Sequence, residues 1–97
     1  MNENRPKTQR ILIVDDEPFN VMGMKVMLQQ YGFKDIIKII DQAYNGQEAL
    51  TLVKNSYFQT QENYNYGLIF MDLSMPIMDG YQASDKIRNF LKNKKMP

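Results

Sequence analysis

The amino-acid sequence predicts an α/β protein with a doubly wound parallel sheet, and two observations lead to that prediction. Short apolar segments typical of strands alternate three times with longer segments that have helical periodicity. Each apolar segment is followed by polar or turn-forming residues before the next helix begins. Strands that alternate with helices form parallel sheets with right-handed crossovers, so we expect three strand–helix units in one domain.

The first unit follows a polar tail at residues 1–9. Ile11–Val14 is a continuous run rich in β-branched residues, the pattern of a strand buried on both faces. Acidic residues and then Pro18 end this strand, and a proline after acids favours the start of a helix. The spacing predicts a helix from Phe19 to about Tyr31, which ends at Gly32.

The second and third units have the same organisation. A strand is expected at Ile36–Ile40, and Asn45-Gly46 turns the chain into a helix from Gln47 to about Lys54. Residues 55–65 are rich in Asn, Gln and Tyr and are interpreted as a surface loop. The last strand and helix are expected at Tyr66–Met71 and from Gly80 to about Lys92.

Composition excludes several classes of function. The chain has 97 residues, enough for one small domain, with 43% apolar and 24% charged residues. It has no Cys and no His, which excludes disulfides, thiolate metal sites, imidazole base catalysis and a phosphohistidine of its own. A net charge of +1 gives no indication of nucleic-acid binding. Without an apolar run of transmembrane length or a signal peptide, we expect a cytoplasmic location and no membrane partner.

Acidic residues follow two of the predicted strands. Asp15 and Asp16 come directly after the first strand, and Asp72 comes directly after the third. Ligands of open parallel sheets bind beyond the carboxyl ends of the strands, and neighbouring strands lie ~4.8 Å apart. Three carboxylates in one place repel each other unless a hard cation such as Mg²⁺ or Mn²⁺ neutralises them. A carboxylate beside such an ion can act as a nucleophile toward phosphorus.

The residues after Asp72 explain why it remains accessible. Pro76 lacks an N–H group and cannot continue a central strand. Asp79-Gly80 is a turn and helix-start signal, so Asp79 is expected to form a turn. Glu17 is expected to be solvated, and Asn20 to be structural.

Three segments together resemble a known family. These are "ILIVDDEPFN", "NGQEAL" and "LIFMDLSMPIMDGYQA". They are similar to the receiver domain of two-component response regulators, above all to receivers attached to hybrid sensor histidine kinases. The resemblance implies a flavodoxin-like receiver fold, with the three strands in the order 2-1-3.

The resemblance also implies a function and a set of site residues. Asp72 would accept a phosphoryl group from the phosphohistidine of a histidine kinase or histidine phosphotransfer protein. Asp15, Asp16, Asp72 and the backbone carbonyl of Ser74 would hold Mg²⁺, with Asp16 the more direct ligand of the acidic pair. Such a domain is a signalling phosphoacceptor rather than an enzyme, although its parent protein can be a hybrid histidine kinase.

The sequence departs from the family pattern in length. The family has five strand–helix units and this sequence has three, so residues 10–97 are interpreted as the N-terminal portion of a receiver domain. The switch Ser or Thr after strand four, and the Lys after strand five, have no counterpart. We therefore expect the third strand to be an exposed edge that favours strand-mediated self-association. Apolar surface between Phe19 and Leu28 should face water.

Two other functions remain open. The chain can be a receiver-like interaction domain that does not signal by phosphorylation. It can also be a phosphohydrolase with an aspartate nucleophile, but such enzymes commonly carry a second Asp where this chain has Ser74. Nucleotide binding has no support, because no Gly-rich loop of standard spacing follows the first strand.

Overall fold

The computed structural model describes residues 8–32, 35–58 and 64–95. Within these ranges strand and helix alternate as predicted. The elements are β1 (Thr8–Val14), α1 (Pro18–Tyr31), a 3-10 helix (Ile36–Ile39), β2 (Ile40–Ala43), α2 (Gly46–Phe58), β3 (Tyr64–Met71) and α3 (Gly80–Lys95). No helix in these ranges has both the length and the apolar character needed to cross a membrane.

The three strands form one parallel sheet in the order β2-β1-β3, which confirms the predicted order 2-1-3. Val14 lies beside Ala43 on one side and Met71 on the other, so the three strands end at the same edge of the sheet. The ladder continues one step further, because the N–H of Asp15 donates to the Ala43 carbonyl at 3.1 Å and that of Asp72 donates to the Val14 carbonyl at 2.9 Å.

Helices cover both faces of the sheet. On one face, Leu12 and Val14 of β1 pack in a core with residues of α2 and α3. On the other face, Ile13 packs with Val21 of α1 and with Ile36 and Ile40. Burial of these side chains supplies the main driving force for folding and fixes the ends of the strands relative to one another.

Helix α1 covers its face of the sheet only in part. Val21 is its buried residue, whereas Phe19 is 79% and Met22 61% exposed, and Val26 and Met27 are also more than half exposed. The expected apolar surface between Phe19 and Leu28 is therefore confirmed.

The prediction of a strand at Ile36–Ile40 is wrong. These residues form the 3-10 helix, and the strand that pairs with β1 is Ile40–Ala43. Ile36 and Ile40 are both buried against the α1 side of the sheet, whereas Ile37 and Lys38 are both exposed, so burial does not alternate from residue to residue as it does in a strand. The polar residue Asp41 is accommodated in β2 because Arg10 of β1 pairs with it.

Other boundaries also move. Strand β1 begins at Thr8, inside the segment predicted as a polar tail, whose residues 1–7 lie outside the described ranges. The loop predicted at 55–65 is regular structure at both ends, because residues 55–58 belong to α2 and residues 64 and 65 belong to β3. Residues 59–63 lie outside the described ranges. Helix α2 continues to Phe58 because Tyr57 and Phe58 make edge-to-face contacts with Phe90 of α3, with ring centroids 5.7 and 6.0 Å apart.

Candidate functional site at the carboxyl end of the sheet

The structure brings together the three acidic residues that the sequence singled out. Asp15, Asp16 and Asp72 each offer one carboxylate oxygen, and these oxygens lie within 4.8 Å of one another. Asp15 and Asp72 are half-buried and Asp16 is exposed. The proximity follows from the sheet, because β1 and β3 are neighbours and end at the same level.

Asp15 is held by the first turn of α1. Its Oδ1 accepts a hydrogen bond from the backbone N–H of Glu17 at 3.0 Å and one from the side-chain amide of Asn20 at 3.4 Å. Glu17 is itself the N-cap of α1, and its side chain accepts from the N–H of Phe19. Glu17 is exposed, as the sequence predicted, but it also begins the helix that fixes Asp15.

Asp72 is held by the loop between β3 and α3. Its Oδ1 accepts from the backbone N–H of Ser74 at 3.4 Å, which keeps Ser74 beside the acidic cluster. The N–H of Gly80 donates to the Leu73 carbonyl at 3.2 Å, so the loop closes back on its own start. Met75 is buried and anchors the loop to the core that contains α2 and α3. The proposed role of the Ser74 carbonyl as a metal ligand stays a prediction.

The same loop contains a strained residue that the sequence did not indicate. Ile77 has a φ of 71°, the one positive φ of a non-glycine residue in the described ranges. The N–H of Met78 donates to the Pro76 carbonyl at 2.7 Å, which makes a tight three-residue turn around Ile77. A positive φ is rare for a β-branched residue, so the surroundings must enforce it. One restraint is the bond from the Gly46 N–H to the Met78 carbonyl, 3.1 Å long.

The start of α3 shows what Asp79 does. Its carboxylate accepts from the N–H of Gln82 at 2.8 Å, and the Gln82 side chain accepts from the N–H of Asp79 at 3.3 Å. This reciprocal capping box begins α3 and fixes the end of the loop. Asp79 therefore stabilises the turn, as the sequence predicted.

An open groove of about 550 Å³ lies next to the acidic cluster, between α1 and β3. Polar side chains of Asp15, Asn20 and Asp72 line one part of it, and the rest is apolar, with Phe19, Met24, Met27 and Phe70. From the sequence, Asn20 was expected to have only a structural role. The signal in the sequence for a role at the acidic site was its position in the first helical turn after an acidic pair.

The chemistry of the cluster fits a hard divalent cation. All of the side-chain ligands are carboxylate oxygens, which are the donors that Mg²⁺ prefers. Among the described residues this is the one group of three or more acidic side chains close enough to share an ion. Asp15 and Asp72 each have one oxygen fixed by an N–H donor, so two of the possible ligands are already oriented.

A parallel sheet in the order 2-1-3, with acidic residues beyond its first and third strands, is the arrangement expected of the receivers of two-component signalling. The model of the response regulator receiver domain family matches residues 11–97, and the chain belongs to that family. The flavodoxin-like receiver fold that the resemblance implied is therefore confirmed.

Individual relatives agree with this assignment. Hybrid signal transduction histidine kinase F of Dictyostelium discoideum is 41% identical over 80 residues, which cover 82% of this chain and 6% of that protein. The receiver domain of the histidine kinase CKI1 from Arabidopsis thaliana, in a crystal structure with Mg²⁺, has a TM-score of 0.76 and 30% identity, with 94% of this chain and 63% of that chain covered.

A further solved structure contains a partner protein. It is the co-crystal structure of the Saccharomyces cerevisiae histidine phosphotransfer signaling protein Ypd1 and the receiver domain of its downstream response regulator Ssk1. Its matching chain has a TM-score of 0.68 and 33% identity, with 93% of this chain and 52% of that chain covered. The present chain thus spans less than two thirds of each of these three relatives.

Proposed function

We propose that this chain is a phosphoacceptor module in which Asp72 receives a phosphoryl group from a phosphohistidine. The observation that carries the proposal is that carboxylate oxygens of Asp15, Asp16 and Asp72 lie within 4.8 Å of one another at the carboxyl end of the sheet. Asp72 is the member on the β3–α3 loop and is only half-buried, so a donor can reach it. Ligands bind at this edge of open parallel sheets.

The proposed reaction transfers one phosphoryl group between two side chains. A carboxylate oxygen of Asp72 attacks the phosphorus atom, a P–O bond forms, and the P–N bond to the donor imidazole breaks. The electron pair of that bond returns to the imidazole nitrogen, and the product on this chain is an aspartyl phosphate. A bound Mg²⁺ would offset the negative charge of the phosphoryl oxygens. Asp15 and Asp16, with Asp72, would hold that ion.

The proposed partner is a protein that carries a phosphohistidine, either a histidine kinase or a histidine phosphotransfer protein. The yeast co-crystal structure supports this class of partner, because it contains a receiver together with a phosphotransfer protein. The exposed apolar side chains of α1 lie beside the acidic groove and supply a surface that such a protein can cover.

The test is phosphorylation of the purified chain by a small acyl phosphate and by a phosphohistidine donor, with Mg²⁺ present. Asp72→Asn should abolish the modification and leave the fold intact, because the two side chains have nearly the same shape. Asp16→Asn should weaken the binding of Mg²⁺. Asp85→Asn, an exposed acid on α3, is the control and should behave like the wild type.

The proposal fails if phosphate is found on Ser74 or Thr51 and survives the alkaline treatment that cleaves acyl phosphates. It also fails if Asp72→Asn is modified as fast as the wild type. Equal Mg²⁺ binding by the wild type and Asp16→Asn would show that the acidic pair is not the metal site. If Asp72→Asn loses the modification but still binds the phosphohistidine-bearing partner, the result would favour phosphoryl transfer to Asp72 over a purely interacting domain.

A further inference from the structure

One oxygen of Asp15 is shared by two hydrogen-bond donors from the start of α1. The Glu17 N–H lies 3.0 Å from Oδ1, and the Asn20 side-chain nitrogen lies 3.4 Å from the same atom. The backbone of Asn20 is fixed as well, because its own N–H donates to the Glu17 carbonyl at 3.0 Å. Asn20 therefore contacts Asp15 from a rigid helical turn.

The chemical character of Asn20 suits a site that binds a cation. Three carboxylates within 4.8 Å repel one another and would move apart if nothing held them. A Lys or Arg at position 20 would hold Asp15 but would also repel an incoming cation, since like charges at a few ångströms interact unfavourably. A neutral amide can donate a hydrogen bond to one oxygen while the cluster keeps its full negative charge.

We propose that Asn20 is a positioning residue for the acidic site, and that its amide orients the Asp15 carboxylate for a divalent cation. The inference rests on the proposed function, in that the cluster of Asp15, Asp16 and Asp72 binds Mg²⁺. Residues that hydrogen-bond to metal ligands orient those ligands, and their loss typically weakens metal affinity by about 10- to 100-fold. Because the bond from Asn20 is long and partly solvated, we expect a loss toward the lower end of that range, about tenfold.

The first experiment needs no metal. The side-chain NH₂ group of Asn20 gives its own pair of NMR signals in ¹⁵N-labelled protein. Asp15→Ala should shift these signals and speed the exchange of the amide protons with water, because their acceptor is gone. Asp85→Ala, which removes an exposed acid from α3, should leave them unchanged.

The second experiment is a Mg²⁺ titration of the wild type, Asn20→Ala and Asn20→Gln, followed by the backbone amide signals of residues around the acidic cluster. Asn20→Ala should bind about tenfold more weakly. Asn20→Gln keeps an amide and should recover part of the loss. Gln29→Ala, an exposed change on the same helix, is the matched control and should bind like the wild type.

Two further readouts separate positioning from a merely structural role. Asn20→Ala should not lower the free energy of unfolding, because Ala is the better helix former at an exposed position. Its phosphorylation by a small acyl phosphate should need more Mg²⁺ but reach the wild-type rate at saturating Mg²⁺. Asp72→Asn should not recover at any Mg²⁺ concentration.

Two results would overturn the inference. One is a Mg²⁺ affinity of Asn20→Ala equal to that of the wild type; the other is an Asn20 amide signal that does not respond to Asp15→Ala. Both can occur while Asp72 still accepts phosphate, so they would leave the proposed function standing. Phosphorylation of Asp72→Asn would instead contradict the proposed function, and the metal-free NMR result would be unaffected by it.

Discussion

A Cβ atom added to Gly80 would lie 2.1 Å from the carbonyl oxygen of Asp72 and 2.7 Å from the Cα of Leu73. The first residue of α3 is thus packed directly against the backbone of the proposed phosphoacceptor. Both neighbouring atoms belong to the main chain, so neither can rotate out of the way as a flexible side chain would. The position of Asp72 in the site therefore depends on the absence of a side chain at Gly80.

Gly80→Ala should push the β3–α3 loop away from α3. We expect a loss of about 1–3 kcal/mol in the free energy of unfolding, the usual cost of adding atoms to a tightly packed place. Mg²⁺ affinity should fall as well, because Asp72 moves relative to Asp15. Urea unfolding and a Mg²⁺ titration measure the two effects.

Gly23→Ala is the matched control for this prediction. A Cβ added at Gly23, in the middle of α1, has no atom within 4 Å apart from its chain neighbours and the backbone of its own helix. That variant should be more stable by up to about 1 kcal/mol, since Ala is favoured over Gly within helices. Equal stability of Gly80→Ala and the wild type would show that the loop adapts without cost.

Asp41 of β2 should make stability depend on pH. Arg10 contacts it with two hydrogen bonds of 2.8 and 2.9 Å, and the Tyr66 hydroxyl donates to it at 2.6 Å. Burial raises the pKa of Asp41, but the hydrogen bonds from Arg10 and Tyr66 and the charge of Arg10 outweigh it, so the pKa lies below its usual value. The contribution to stability is then present above the unfolded-state pKa of about 3.9, and it is lost as the pH falls through the folded pKa.

Asp41→Asn should lower the free energy of unfolding at pH 7 by about 1–2 kcal/mol, a modest value because water screens a pair that is partly exposed. The difference from the wild type should shrink as the pH falls below about 4, because Asp41 of the unfolded chain then becomes protonated, and it should vanish as the pH falls through the lowered pKa of Asp41 in the folded protein. Denaturant unfolding at several pH values measures the difference in the free energy of unfolding between Asp41→Asn and the wild type. A difference that stays constant down to the lowest accessible pH would contradict the prediction that ionised Asp41 stabilises the fold.

Asn65 of β3 carries a buried side-chain oxygen, Oδ1, that has no hydrogen-bond partner among the described residues. Asn65 also lines a cavity between α2, β3 and α3. An unsatisfied buried acceptor costs about 1–3 kcal/mol, so Asn65→Leu, of similar shape, should raise the free energy of unfolding by about 1 kcal/mol. Asn89→Ala on the exposed face of α3 should change it by less than about 0.5 kcal/mol. A destabilised Asn65→Leu variant would mean that the oxygen has a partner in solution.

Strand β3 should promote self-association of this chain. It pairs with β1 on one side, no described strand pairs with its other side, and Leu68 is 47% exposed. Its eight residues contain no charge and no proline, the features that normally protect an edge strand. Sedimentation should show association that rises with concentration and is suppressed by Leu68→Lys. Lys86→Leu on α3 controls for a general effect of charge, and a wild type that stays monomeric at high concentration would refute the prediction.

Much of the fold was predictable because its signals are local. The β-branched run of β1, the proline at the start of α1 and the glycine after it each act on neighbouring residues, whatever the rest of the chain does. The buried positions of α2 followed from helical spacing for the same reason. The proximity of Asp15, Asp16 and Asp72 could also be predicted, since parallel strands place their carboxyl ends at one edge of the sheet.

The second strand shows where local signals are insufficient. The Ile-rich segment before Ile40 has higher strand propensity than Ile40–Ala43, yet it forms the 3-10 helix. Asp41 is stabilised in the sheet by Arg10 and Tyr66, which lie 31 and 25 residues away in the chain. No window of a few residues contains that pairing, so the propensity of the isoleucines was a misleading guide.

Local signals in the sequence were therefore enough to predict the three strand–helix units, the helix boundaries near proline and glycine, and the acids that end two strands. Tertiary structure decided the residues of β2, the extension of α2 to Phe58, and the backbone conformation of Ile77. It also placed Asn20 against Asp15. The physical reason is the range of the interactions: hydrophobic periodicity and turn chemistry act within a few residues, whereas ion pairs, aromatic contacts and close backbone approaches join segments that only the folded chain brings together.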